Sequence, residues 1–83
     1  MTLGQWNSCL AYAQDVCKCL SINGIAVRAS GYQLFNGRRG ICLQVVDNNA
    51  TVFAEYYTGT YDTVNEMQSA LDVLEKRIIK ECL

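Results

Sequence analysis

Eighty-three residues suit one small domain and are too few for two. Seven basic and eight acidic residues give a net charge of −1, without the basic surplus from which non-specific nucleic-acid binders draw their affinity. Histidine is absent, and 18% of the residues are charged against 51% apolar, so the chain closes one core and leaves a largely neutral surface.

The first predicted element is a helix from Leu3 to Ile22. Leu3, Trp6, Leu10, Ala13, Cys17 and Leu20 recur at alternating spacings of three and four, with Cys9 and Val16 widening the stripe. Thr2 and Gln5 have the spacing of a capping box, and Asn23-Gly24 supplies a left-handed stop. Ile25 to Phe35 has β character. Ile25, Val27 and Ala29 alternate on one face, whereas Tyr32 and Leu34 have the opposite parity, so Gly31 is a candidate bulge that switches faces.

A turn cluster, Asn36-Gly37-Arg38-Arg39-Gly40, leads into the clearest strand, Ile41 to Val46. After Asp47-Asn48-Asn49, a third strand runs from Ala50 to Tyr57. A two-residue loop at Asn48-Asn49 pairs Val45 with Val52, Leu43 with Ala54 and Ile41 with Tyr56, all on the core face. Cys42, Gln44, Val46, Thr51, Phe53, Glu55 and Tyr57 then share the other face. The last helix runs from Val64 to Glu81 behind a second capping box, Thr63 with Glu66, and buries Val64, Met67, Leu71, Leu74 and Ile78. Asp72 with Lys76, and Arg77 with Glu81, are i,i+4 pairs on its solvated sides.

The expected fold is therefore one α+β domain over residues 1–83. It is an α-β-β-β-α two-layer sandwich in which an antiparallel meander carries both helices on one face. The reverse face stays open.

No catalytic, cofactor-binding or metal-binding residues are expected. A hydrolytic triad needs a base, usually histidine. Five cysteines occur without a Cys-x-x-Cys pair, and Cys17 and Cys19 point to nearly opposite sides of a helix. They read as reduced thiols of a cytoplasmic protein. No apolar run approaches the ~20 residues of a membrane span. The candidate partner-binding residues are Arg38 and Arg39 at the hairpin tip, Gln44, Phe53 and Tyr57 on the open sheet face, and Tyr32, which joins that face or not according to whether Gly31 is a bulge. Aromatic residues and arginine dominate binding hot spots.

The α-β-β-β-α order resembles the double-stranded-RNA-binding domain over most of the chain. That family holds phosphates with a lysine-rich start to its final helix. The matching stretch here, Thr63-Val64-Asn65-Glu66-Met67-Gln68, has no basic residue, so nucleic-acid binding is not expected to follow from the resemblance. As a type, the chain looks like the small accessory proteins of phages and mobile elements, anti-CRISPR proteins among them. The expected function is accordingly a non-enzymatic protein-interaction module, specifically an inhibitor of a host protein. A homodimeric adaptor and a nucleic-acid binder are the alternatives.

Overall fold

Thr2 opens the first helix, α1 (Leu3–Ile22), in extended conformation, with its hydroxyl accepting the Gln5 amide at 3.1 Å. The Gln5 side chain accepts the Thr2 amide at 2.8 Å, so two donors that no helical carbonyl reaches are both satisfied. At the other end Gly24 takes φ +82°. Its amide bonds Ser21 O, and the Ile25 amide bonds Leu20 O, the paired closure of a Schellman motif. The structure, a computed structural model, describes residues Met1–Leu83.

Three strands follow: β1 (Val27–Gln33), β2 (Arg39–Val46) and β3 (Val52–Tyr57). They form an antiparallel sheet in the order β1-β2-β3. Then comes α2 (Val64–Cys82). Its N-cap differs from the expected box in one detail. Thr63 Oγ1 accepts the Glu66 amide at 3.2 Å, but the Glu66 carboxylate accepts the Thr63 hydroxyl rather than the Thr63 amide.

Two expectations about the sheet are corrected. Gly31 is not a bulge, because β1 pairs with β2 without interruption from Val27↔Val45 to Gln33↔Arg39. The glycine is needed because a Cβ there would stand 3.0 Å from Trp6 Cζ2, so the missing side chain lets the indole approach the strand. The second hairpin is longer than a two-residue loop. The Asp47 carboxylate accepts the amides of Asn49 and Thr51, Asp47 N donates to Thr51 O, and Ala50 adopts φ +60°. This is a turn followed by a left-handed residue, a form in which glycine is usual. A bulge at Val45/Val46 then leaves Phe53 without a partner in β2. The net slip is two residues: Val45 faces Ala54 and Leu43 faces Tyr56. From Ala54 to Tyr57 the slip is even and the faces stand as expected, but before the bulge it is one residue, so Val52 lies opposite Val46 on the outer face rather than opposite Val45 in the core.

Both helices pack on one face of the sheet, giving an α+β two-layer sandwich. One cluster joins Trp6, Cys9, Ala13, Val16, Cys17 and Leu20 of α1 to Ile41, Leu43 and Val45 of β2. Tyr56 of β3 and Met67, Leu71, Leu74 and Ile78 of α2 complete it. Burying each such aliphatic side chain contributes about 1.5–3 kcal/mol. Leu3 departs from the expected stripe and is 67% exposed, on the wall of a surface cleft. Tyr12 donates its hydroxyl to Asp72 across the two helices, so Asp72 does not pair with Lys76. Tyr56 donates to Glu81 at 2.6 Å, and Arg77 lies 3.3 Å from the same carboxylate, as its i,i+4 spacing implies.

Candidate functional site

Strand alternation places two sets of side chains on the face that no helix covers. From β1 and β2 come Arg28, Ser30, Tyr32, Cys42, Gln44 and Val46, and from β3 come Glu55 and Tyr57. Glu55 Oε2 is their hub. It accepts the Tyr57 hydroxyl at 2.6 Å, Gln44 Nε2 at 3.4 Å and the Cys42 thiol at 3.7 Å. Arg28 reaches Gln44 Oε1 at 3.3 Å.

The electrostatics follow from these bonds. The Tyr57 hydroxyl, then Gln44, hold the Glu55 carboxyl below its ordinary range. The same carboxylate holds the Tyr57 proton and pushes that phenol up to about 12. Cys42 is 4% exposed, and burial pushes its thiol up, which keeps it protonated and weakly nucleophilic at neutral pH.

A raised Tyr57 pKa means that the folded state retains a proton which the unfolded chain loses near ~10. Its contribution to stability is therefore complete below pH ~10 and is lost as pH rises toward 12. Tyrosinate absorbance should show Tyr57 ionising late in the native protein, and Glu55→Ala should return it toward its ordinary range. An unchanged titration curve in that variant would remove Glu55 as the cause.

Tyr32 crosses the outer side of Gly40, its partner in the register. Its hydroxyl donates to Thr58 O at 2.5 Å, and its ring meets Tyr57 edge to face with centroids 5.6 Å apart. Tyr57 is 55% exposed and Phe53, at the bulge, 62%. Among the residues singled out from the sequence, Tyr32, Gln44 and Tyr57 thus share one surface, with Phe53 beside them on β3.

Arg38 and Arg39 do not join that surface. Arg38 turns to the loop before α2, where its guanidinium lies 3.2 Å from Asp62 and donates to Thr60 O. Arg39 has the core-side parity of Ile41, and its guanidinium lies over the Trp6 ring, 6.0 Å from the centroid. Together they wall a cleft of about 580 Å³ with Met1, Leu3, Trp6, Tyr61 and Asp62. Phe35 stands fully exposed at the nearby hairpin tip. Sequence reasoning missed this cleft. Its local signals were the Arg38-Arg39 pair, which the sequence places only at a hairpin, and Trp6 at the start of the apolar stripe, which periodicity assigns to the core.

No three Cys, Asp or Glu side chains converge as metal ligands would, and no helix is long and apolar enough to cross a membrane. Fold and surfaces together define a small α+β sandwich with one uncovered sheet face. No protein-family model, curated protein or solved structure matches the chain.

Proposed function

We propose that this chain is a non-catalytic protein-binding module that docks on a protein partner through the uncovered face of its sheet. The observation that carries this reading is the neutral, aromatic character of that face. Glu55 is already answered by three donors and Arg28 by Gln44, while Phe53 and Tyr57 stand exposed. Such a surface matches a neutral protein surface better than a phosphate backbone, which requires positive charge to replace its counterions. A standard interface takes ~800 Å² from each partner, roughly 15% of this chain's 5192 Å².

The specific role proposed is occlusion: an inhibitor of a host protein, of the type that phages and mobile elements carry. A small preorganised body loses little entropy on docking, which suits a protein that acts by covering a site. A photo-crosslinking phenylalanine analogue at position 53 should give one predominant adduct in host cells. The same probe at Val73, exposed on α2, should give none. The crosslinked protein, once purified, should be inhibited by the native chain, and Tyr57→Ala should weaken inhibition about tenfold or more. Equal adducts from both positions would refute the docking face, and an uninhibited partner would refute the role.

A further inference from the structure

We propose that the cleft between the first turn of α1, the β1–β2 hairpin and the loop before α2 receives an acidic peptide segment, with an apolar residue beside its carboxylate. This surface is separate from the open sheet face, and the proposal does not depend on that face being used.

The argument begins with an imbalance of charge. Two guanidinium groups wall the cleft, and Asp62 answers only one of them. Arg38 is satisfied by Asp62 and Thr60 O. Arg39 has neither a salt bridge nor a side-chain hydrogen bond, and its guanidinium lies over the Trp6 ring, 6.0 Å from the centroid. At that distance the ring face attracts the cation without occupying its N–H donors, which stay free for a carboxylate. One side of the cleft is apolar, where Leu3, Met1 and Tyr61 are all substantially exposed, and Asn36 and Thr60 add polar groups to the rest of its lining.

One unanswered cation beside an apolar wall fits a carboxylate followed by an aliphatic or aromatic side chain. It fits a nucleic acid poorly, because affinity for phosphates grows with the number neutralised and Asp62 repels them at the rim. The cleft volume of about 580 Å³ lies within the ~300–1,000 Å³ usual for binding sites.

Trp6 is the only tryptophan in the chain, so its emission reports on the cleft directly. Titration with an acetylated, amidated peptide of alternating glutamate and leucine should change that emission saturably. Backbone amide shifts should follow at Leu3, Arg39 and Tyr61. Arg39→Gln should weaken binding about tenfold or more, as loss of a charge-assisted pair implies. Leu3→Ser, at an exposed position of the first turn, should weaken it several-fold, and Tyr57→Ala on the sheet face should leave it unchanged. The proposal is overturned if the peptide gives no saturable change, or if a lysine–leucine peptide binds as well. Undiminished binding by Arg39→Gln would also overturn it, as would tighter binding of a short single-stranded oligonucleotide.

Discussion

Replacing Leu43 with alanine should cost about 3 kcal/mol of folding free energy, the largest effect expected of any single truncation in the sheet. Leu43 is fully buried in the central strand, opposite Ala29 of β1 and Tyr56 of β3, within the cluster shared by both helices. Three carbons are lost, each removing about 0.8 kcal/mol of transfer free energy. The void adds to this, because helices on one side and two paired strands on the others limit collapse. A domain of this length has only ~4–12 kcal/mol of stability in all, so the loss is a large share of it. The melting temperature should fall by roughly 12–24 °C. Urea unfolding should show a lower midpoint with an unchanged slope, whereas Val73→Ala, 64% exposed, should scarcely move it. A loss below about 1 kcal/mol at Leu43 would mean that the two layers do not close over β2 as described.

The features legible in the sequence are those set by residues a few positions apart. Helix bounds followed from period and caps: Thr2 with Gln5 and Asn23-Gly24 act within one turn of the chain they punctuate. Alternation grouped Gln44 with Tyr57, while a supposed bulge at Gly31 left the face of Tyr32 open until the uninterrupted β1–β2 pairing placed it with them. What failed depended on distant partners or on unusual backbone. Ala50 in the left-handed region is a conformation that composition does not announce, and the longer loop and the bulge at Phe53 each moved the register by one. Gly31 looked like a bulge because its reason for being glycine, the Trp6 ring, lies on another element. Arg38 was rightly placed beside a turn, but Arg39 opens β2 opposite Gln33, and Asp62 and Trp6, which set the two directions, lie 24 and 33 residues away in the chain. The cleft was therefore invisible, while the open face was not.

Gly40→Ala should destabilise the native protein by about 2 kcal/mol, and the same substitution in a Tyr32→Ala background should be neutral or slightly stabilising. A Cβ at Gly40 would lie 2.3 Å from Tyr32 Cζ, well inside contact distance. Gly40 itself has no positive φ, so the backbone accepts alanine and the conflict is with the ring alone. Displacing Tyr32 breaks its hydrogen bond to Thr58 O and its edge contact with Tyr57. Thr58 is itself buried, and its hydroxyl accepts the Ile41 amide at 2.8 Å, so the disturbance reaches the start of the central strand. Once Tyr32 is gone, the closest atoms the added methyl would meet are removed, and alanine holds a strand better than glycine by ~0.5–1 kcal/mol. The double-mutant cycle should therefore give a coupling of about 2–3 kcal/mol between the two positions, with a reversal in sign at Gly40. Near-UV circular dichroism should register loss of the Tyr32–Tyr57 contact in Gly40→Ala alone. Strict additivity would show that the ring does not lie across Gly40, and the aromatic surface built around it would lose its fixed centre.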